Sequence, residues 1–156
     1  MSGYIESLGN FLNSKGVWHR FIEFSDPVKT VEQAGKKVPV ERIVKSIVMV
    51  DSNGAALLAI IGAQHRVSFR KIKRLLEVRD VRLANAEEVL KASGFPVGGV
   101  APFNLIRRVL LDPAVLTNET CFVGGGDIDK LLEVRTQDIV EMMHPRIVDI
   151  RDERAR

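Results

Sequence analysis

The sequence contains almost no cysteine. Cys121 is the only one among 156 residues. A single cysteine excludes an internal disulfide bond and any zinc site built from several cysteines. Its neighbours, "ETCFVGG", predict a strand and include no activating pattern. We therefore expect Cys121 to be a buried apolar residue rather than a reactive thiol.

Long hydrophobic runs and a leader sequence are also missing. The longest uncharged apolar run covers residues 55–63, whereas a membrane-spanning helix needs about 20 residues. The N-terminus has no basic segment followed by an apolar stretch, as a secretory signal would. With 46% hydrophobic residues, the chain is predicted to form a single domain over residues 1–156, located in the cytoplasm and without a membrane partner.

The familiar motifs of catalytic and cofactor sites are missing as well. There is no GxSxG elbow, no GxxxxGK[ST] phosphate loop and no strand-linked GxGxxG. His19, His65 and His144 are far apart in sequence and have no metal-ligand spacing. We therefore expect ordinary surface or hydrogen-bonded histidines, no metal and no other cofactor.

The charge is mildly basic, with a net charge of +3 and a pI near 9.2. This balance permits a nucleic-acid partner without requiring one. The stretch "RVSFRKIKRLLE" predicts a helix with four positive charges opposite its apolar stripe, namely Arg66, Arg70, Lys73 and Arg74. Such a face is usually only solvated, but its single sign makes contact with an RNA backbone an equal alternative.

The order of helix and strand patterns predicts an α+β fold. Apolar spacing indicates an N-terminal helix within residues 1–16, and Asn53-Gly54 between two β-rich runs indicates a hairpin. Thr30 and Asn85 are predicted to begin further helices as N-caps. The remaining short strands favour a mixed, largely antiparallel sheet with peripheral helices. Residues 151–156 are predicted to be a solvated tail.

Two glycine-rich stretches and one lysine are the remaining candidates for a functional site. In "SGFPVGGVAPFN" and "FVGGGD", the glycines either form turns that need positive φ or bring backbone N–H groups close to a ligand oxygen. Pro96 and Pro102, on either side of the glycine pair in the first stretch, would restrict its backbone conformation. Lys45, in "RIVKSIVMV", either covers apolar surface with its stem or directs its ammonium at a phosphate or developing oxyanion.

Taken in order, these segments resemble the YbaK/ProX family of aminoacyl-tRNA deacylases, which is related to the editing domain inserted in bacterial prolyl-tRNA synthetases. The resemblance depends on the order of several segments and covers roughly residues 17–150. The segments are "VKSIVMV", "HRVSFRKIKRLL", "LANAEEVLKASGFPVGGVAPFN" and "FVGGGDIDKLLEV".

The resemblance implies a central, mixed, partly barrel-like sheet with peripheral helices. It also implies hydrolysis of the ester between a wrong small amino acid (alanine, cysteine or serine) and a tRNA, with proline tRNA as the expected carrier. The partners would be the aminoacylated 3′ end and acceptor stem of the tRNA, with a synthetase as a further candidate partner. Lys45 stands at the position of the family's critical lysine. The expected pocket residues are Gly98, Gly99 and Pro102 on one loop, Gly124, Gly125 and Gly126 opposite it, and Ser46 beside the lysine.

One feature departs from the family pattern. Some relatives carry a histidine after the later glycine segment, whereas this stretch reads "GGGDIDKLLEV" and contains none. The mechanism of alanine-specific relatives therefore cannot be transferred residue by residue, and the preferred amino acid stays open.

The missing nucleophile fits an ester substrate that is already reactive. N–H groups around Gly98 and Gly99 are expected to bind the ester carbonyl oxygen or the terminal ribose, and Lys45 the terminal phosphate or the oxyanion region. Water, a cysteinyl thiol or the vicinal ribose hydroxyl would attack. Two other functions stay open. One is a non-catalytic module of the same fold that binds aminoacyl-tRNA or a synthetase, and the other is a small-molecule aminoacyl esterase.

Overall fold

The computed structural model describes residues 2–153, with side chains described from residue 7 onward. Met1 of the predicted N-terminal helix and residues 154–156 of the predicted tail lie outside the described residues. The helices are α1 Ser2–Ser14, α2 Val31–Ala34, α3 Phe69–Leu76, α4 Ala86–Ser93 and α5 Thr136–Met143. The strands are β1 His19–Glu23, β2 Val44–Asp51, β3 Ala56–Gly62, β4 Val81–Leu83, β5 Val109–Leu111, β6 Thr120–Gly124, β7 Lys130–Arg135 and β8 Arg146–Ile147. Two short 3-10 helices cover Val40–Arg42 and Pro113–Thr117.

The strands form two sheets. Strands β1, β7 and β6 form an antiparallel sheet in that order, and the larger sheet has the order β4-β2-β3-β5-β8. In the larger sheet β2 is antiparallel to β3 and β4, whereas β5 is parallel to both β3 and β8. A parallel bridge between Ile43 and Phe122 links the two sheets. The predicted α+β fold with mixed, largely antiparallel strands is therefore confirmed. The strands form two linked sheets, whereas one central sheet was expected. The partly barrel-like shape of the sheet stays a prediction.

The predicted hairpin is present as β2 and β3. The carboxylate of Asp51 accepts hydrogen bonds from the N–H groups of Asn53 and Ala55, and Gly54 has a φ of +82°. Only a residue without a side chain adopts that conformation readily. The turn fixes a register in which Lys45 lies opposite Ile61 and Val48 opposite Leu58.

Both predicted N-caps are confirmed. The Thr30 and Asn85 side chains accept hydrogen bonds from the N–H groups of Gln33 and Glu88, and both caps are complete capping boxes. Gly94 ends α4 with a φ of +85°. These local bonds satisfy N–H groups that a helix start otherwise leaves unpaired.

Three apolar clusters hold these elements together. The central cluster lies between the two sheets and includes Val44, Val48, Val100, Ala101 and Val123. The helix-side cluster packs α3 on the larger sheet and includes Met49, Ile61 and Ile72. The edge cluster surrounds Ala34, Ile43 and Phe122. None of the described helices is both long enough and apolar enough to cross a membrane.

The start of the predicted solvated tail is tied to the domain. Val67 and Arg151 form an antiparallel bridge, and the buried carboxylate of Asp112 accepts from the N–H of Ile150 at 3.2 Å. Arg151 lies 3.4 Å from the same carboxylate. Residue 151 is therefore partly buried, and it adds a positive charge beside a buried carboxylate that also accepts from the N–H of Ala114.

Candidate functional site

The first glycine-rich stretch forms a tight turn. The N–H of Gly99 donates to the carbonyl of Pro96 at 3.0 Å, and Gly98 has a φ of +90°. A left-handed conformation at the third residue is what a type II turn requires. The interpretation of this stretch as a turn is therefore confirmed.

The structure brings the two glycine segments into direct contact. The N–H of Gly126 donates to the carbonyl of Gly99 at 2.9 Å. A Cβ atom on Gly99 would lie 2.7 Å from the backbone nitrogen of Asp127, and one on Gly124 only 2.1 Å from the carbonyl oxygen of Val100. Backbone packs on backbone here, so at these positions glycine is required by the protein's own packing.

Gly98 differs from Gly99 because it is exposed. Its N–H donates to none of residues 2–153, whereas the N–H of Gly99 is already used within the turn. The nearest atom to a Cβ at Gly98 would be a side-chain carbon of Ile128 at 3.3 Å. Of the two glycines that were expected to offer backbone donors, Gly98 is the one with a free N–H. Pro102 is buried beside this loop.

Lys45 lies on β2, half-buried and next to a second cation. Burial, together with the nearby charge of Arg66, lowers the pKa of Lys45 below its ordinary value. Both effects disfavour the charged ammonium. Within residues 2–153 its Nζ makes no salt bridge or side-chain hydrogen bond, so an anion would relieve both effects.

Lys45 and Ser46 leave opposite faces of β2, since successive strand residues alternate. Ser46 shares the face of Val44 and Val48 in the central cluster. Its hydroxyl is buried and has no hydrogen-bond partner among the described residues. A buried hydroxyl without a partner costs free energy, which makes Ser46 the most unusual polar group beside Lys45.

The bridge between the sheets brings the start of β2 beside β6. Ile43 pairs with Phe122 in parallel, so Lys45 and Gly124, each two residues further along, leave the same faces as these partners. On that side the backbone of Val100 covers Gly124. The loop of Gly98 and Gly99 therefore packs on β6, the strand that runs beside the start of β2 and so close in the fold to the strand of Lys45.

Arg66 is not on the basic helix, which corrects the sequence prediction. Helix α3 begins at Phe69, because the Ser68 hydroxyl accepts from the N–H of Lys71 and caps the helix. Arg66 precedes this cap in extended backbone, where its carbonyl accepts from the N–H of Asp152 at 2.8 Å. Its charge acts on Lys45 instead. The α3 face therefore keeps three of the four predicted cations, namely Arg70, Lys73 and Arg74.

Cys121 is buried, as expected. Burial raises the pKa of its thiol to about 11, so the thiol stays protonated at neutral pH and is a poor nucleophile.

His19 and His144 each take part in the local backbone structure, whereas His65 lies at a surface cavity. A ring nitrogen of His19 lies 2.9 Å from the carbonyl of Val17, and His144 ends α5 in a left-handed conformation. His65 is exposed and lines a cavity at the end of the β2–β3 hairpin. The spacing of residues in the sequence could not identify His65 as a candidate site residue, because the cavity is formed by three segments that are distant in the chain.

A comparison with family models decides the relationship. The model of the aminoacyl-tRNA editing domain matches residues 25–142. The chain belongs to this family. The resemblance to YbaK-like deacylases inferred from the sequence is therefore confirmed.

Relatives of this editing domain occur both inside synthetases and alone. The chain is 30% identical over 109 residues to the proline–tRNA ligase of Thermosipho africanus, covering 68% of this chain and 19% of the ligase. It is 26% identical over 137 residues to YwhH of Bacillus subtilis, covering 83% of this chain and 87% of YwhH. The chain thus spans about a fifth of the length of the ligase it matches.

Solved structures of similar proteins share the fold. A protein described as a candidate trans-editing enzyme for prolyl-tRNA synthetase superposes with a TM-score of 0.86 at 24% identity, covering 97% of this chain and 99% of the other. The hypothetical protein APE2540 superposes with a TM-score of 0.83 at 28% identity, covering 93% and 99%. The fold of this chain thus accounts for almost the whole length of both of these solved chains.

Proposed function

We propose that this editing domain acts in trans as a deacylase. It would hydrolyse the ester of a small amino acid, of the alanine, cysteine or serine type, on a mischarged proline tRNA. The observation that carries the proposal is Lys45, a half-buried cation that makes no salt bridge or side-chain hydrogen bond within residues 2–153, in a chain of the editing-domain family. Relatives that are prolyl-tRNA ligases support the choice of tRNA.

The reaction needs an attacking oxygen or sulfur, an oxyanion site and a leaving group. Water, the vicinal ribose hydroxyl or a cysteinyl thiol of the substrate attacks the ester carbonyl carbon and gives up its proton. The carbonyl oxygen then carries negative charge, until the bond to the ribose oxygen breaks and that oxygen leaves as the protonated tRNA hydroxyl. With water, the free amino acid is released directly. With the cysteinyl thiol, the amino acid leaves the tRNA as a cyclic thioester, and with the vicinal hydroxyl the ester only migrates to that hydroxyl; in both cases water must then hydrolyse the new bond.

The chain's own groups would stabilise the charge rather than supply the nucleophile. The free N–H of Gly98 is oriented by its turn and suits the ester oxygen or the ribose, while the Lys45 ammonium suits the terminal phosphate or the oxyanion. Loss of one such donor costs other hydrolases roughly 10²–10³ in rate. Pro102 and the later glycines Gly124, Gly125 and Gly126 would shape the amino acid pocket, and Ser46, on the opposite face of β2 from Lys45, would line it only from the side of the central cluster.

The basic surface would hold the rest of the tRNA. Arg70, Lys73 and Arg74 on α3 would contact phosphates of the acceptor stem, and Arg66 would lie closer to the 3′ end, beside Lys45. Phosphate contacts of this kind give affinity and a strong salt dependence without reading sequence.

One assay separates this function from its two alternatives. The purified protein is incubated with proline tRNA charged with alanine, cysteine, serine or proline, and ester loss is followed over time. Rapid loss from one of the small amino acids supports the deacylase. Tight binding without ester loss would instead favour a non-catalytic module. Loss only from aminoacyl-adenosine, with charged tRNA left intact, would favour a small-molecule esterase.

A further inference from the structure

A cavity of about 190 Å³ lies at the open end of the β2–β3 hairpin, opposite its turn, where Val44 pairs with Gly62. It lies between the two 3-10 helices, Val40–Arg42 and Pro113–Thr117, and the turn after β3. Pockets for drug-sized ligands are larger, about 300–1,000 Å³. This cavity therefore suits a single flat ring system rather than an amino acid joined to its ribose.

The cavity has an apolar floor and a polar rim. Ile43, Val44 and Val115 form the floor and are almost fully buried. The side-chain amides of Gln64 and Asn118 lie at the rim. Such a combination offers an apolar surface to the face of a ring and hydrogen bonds to its edge.

His65 provides an aromatic surface at the same rim. Its backbone N–H donates to the carbonyl of Gly62 at 3.0 Å, and its ring carbon Cδ2 lies 3.3 Å from where a Cβ of Gly62 would be. The ring is therefore held over a glycine, close to the cavity and exposed on its outer side. Histidine rings are among the platforms on which unpaired RNA bases stack.

The chemistry of the rim favours a base with an exocyclic amino group. Glu41 is exposed at the rim and carries a carboxylate, which accepts hydrogen bonds from the amino groups of cytosine and adenine. Asn118 donates to the carbonyl of Glu41 at 3.3 Å and so links the two 3-10 helices across the cavity. Hydrogen-bond acceptors and side-chain amides thus lie together at the rim of the cavity, where the edge of a bound ring would be.

Cations lie directly next to the cavity. Arg66 follows His65 in the chain, and Lys45 lies two residues after Ile43 of the floor, on the same face of the chain. The two are close enough for the charge of Arg66 to act on Lys45. A nucleotide whose base entered the cavity would bring its phosphate towards these two cations.

We propose that this cavity binds one unpaired cytosine or adenine of the tRNA 3′ end, stacked on His65. The inference rests on the proposed function, because it assumes that the 3′ end enters at Lys45. It adds a base subsite outside the aminoacyl pocket, which would keep the terminal nucleotides in register with the ester.

A titration with nucleotides tests the site directly. Side-chain amide signals of Gln64 and Asn118 are followed by NMR while AMP, CMP, UMP or ribose 5-phosphate is added. AMP or CMP should shift both signals, while ribose 5-phosphate should not and UMP should act more weakly. Equal effects of all four compounds, or no shift with AMP and CMP, would overturn the proposal.

Substitutions at His65 test the stacking. We expect His65→Ala to weaken the binding of uncharged tRNA roughly 5- to 100-fold, as expected for one stacked base, and His65→Phe to retain it. Neither should change the binding of the same tRNA without its last three nucleotides. Equal weakening by Ala and Phe, or weakening with the shortened tRNA as well, would refute stacking.

Filling the cavity is an independent test with a matched control. Ala114 lines the cavity, whereas Leu116 lies on the same 3-10 helix but is not among the lining residues. Ala114→Phe should weaken binding of the intact 3′ end, and Leu116→Phe should not. Identical behaviour of the two variants, each checked for its melting temperature, contradicts the proposal.

Different experimental results would reject the base site and the proposed deacylase function. Nucleotide shifts at Gln64 without any deacylation would preserve the base site and reject the enzyme. Deacylation that is unaffected by His65→Ala and Ala114→Phe would preserve the enzyme and reject the base site.

Discussion

The two neighbours Gly98 and Gly99 show how similar residues acquire different roles. Gly99 is buried against the backbone of residues 126 and 127, whereas Gly98 is exposed and has a free N–H. Sequence reasoning identified both glycines but could not separate them, since the distinction depends on a segment about 25 residues away. The structural role and the proposed chemical role therefore fall on adjacent residues.

Substitution of these glycines should separate stability from activity. Gly99→Ala forces a Cβ into backbone and should cost roughly 1–3 kcal/mol of unfolding free energy, measured by urea denaturation. Gly98→Ala should cost only about 1–2 kcal/mol, for its left-handed φ, but should lower kcat markedly because the turn orients the N–H. A Gly98→Ala variant with full turnover would remove Gly98 from the oxyanion site.

Lys45 should be essential for turnover and dispensable for folding. We expect Lys45→Ala to lower kcat/KM at least about 100-fold while the melting temperature is unchanged or higher, since an unpaired half-buried charge is removed. Full activity of this variant would disprove the assignment.

The pH profile should report the pKa of Lys45. If the ammonium is required, activity should decline at alkaline pH earlier than for an ordinary lysine, because burial and Arg66 lower this pKa. Arg66→Gln removes one of the two causes and should move the decline to higher pH. An unchanged profile in Arg66→Gln would mean that Lys45 does not limit the alkaline side.

Cys121 should be irrelevant to chemistry. Cys121→Ser places a hydroxyl in the central cluster and should cost about 1–3 kcal/mol of stability. Turnover per folded molecule should stay within about twofold, because the protonated, buried thiol does not attack. A large loss of turnover in folded protein would contradict a mechanism without a thiol.

At the scale of elements, α3 is the best-defined candidate for contact with nucleic acid. Its basic residues Arg70, Lys73 and Arg74 follow the cap at Ser68, and its apolar residue Ile72 is fully buried against the larger sheet. The neighbouring Lys71 is engaged by Asp149 at 2.8 Å and does not belong to this face. Within residues 2–153 these three cations make no salt bridge, so α3 presents three positive charges on a fixed support.

Removing the α3 charges should affect binding more than chemistry. Replacing Arg70, Lys73 and Arg74 with Ala should raise KM more than it lowers kcat. The slope of log affinity against log salt should become shallower by about 0.7–0.9 for each phosphate that the variant no longer neutralises. A control variant that replaces Lys15, Lys91 and Arg135 removes the same charge from other elements. Equal changes in both variants would indicate a general charge effect.

The antiparallel three-stranded sheet contains a buried ionic network that should make stability pH-dependent. Glu133 accepts from Arg20 at 2.7 Å and from Arg42 at 2.9 Å. Burial alone would raise the pKa of Glu133, but the hydrogen bonds from Arg20, Thr120 and Arg42 outweigh it and the net shift is downward. A carboxyl with a lowered folded-state pKa stabilises the fold above its unfolded pKa, and this contribution is lost as the pH falls through the folded-state value.

Glu133→Gln should therefore destabilise the protein at neutral pH and less so in acid. We expect a loss of roughly 1–3 kcal/mol at pH 7, since two arginines lose their carboxylate. The difference from the unmodified protein should shrink as the pH falls below the ordinary glutamate range. Glu119→Gln, at an exposed position, is the control. A difference that does not vary with pH would show that packing, not charge, is responsible.

At the scale of the whole molecule, local signals predicted elements well and their assembly less well. The hairpin turn and the N-caps at Thr30 and Asn85 depend on residues that are close together in the chain, so the sequence predicts them. The short strand β4 was missed, because its three residues provide no periodicity and its pairing with β2 is tertiary. The division into two sheets was missed for the same reason, and the start of α3 was placed too early because Arg66 fits the helical spacing.

The candidate site shows the same division between local and tertiary information. Sequence order led to the family and to both glycine segments. The contact between these segments, the proximity of Arg66 to Lys45 and the cavity beside His65 each depend on residues that are distant in the chain. Spacing rules describe neighbours on one element, so they cannot detect such arrangements.

The pairing of Val67 with Arg151 has a practical consequence for anyone working with this protein. The described chain ends at Glu153, whose carboxylate lies 3.4 Å from Lys71 on α3. A fluorophore attached at Glu153 would thus lie beside α3, close to Arg66 and the proposed path of the RNA, and would compete with it. Labels for binding measurements belong at another exposed position, such as the loop at Asn53.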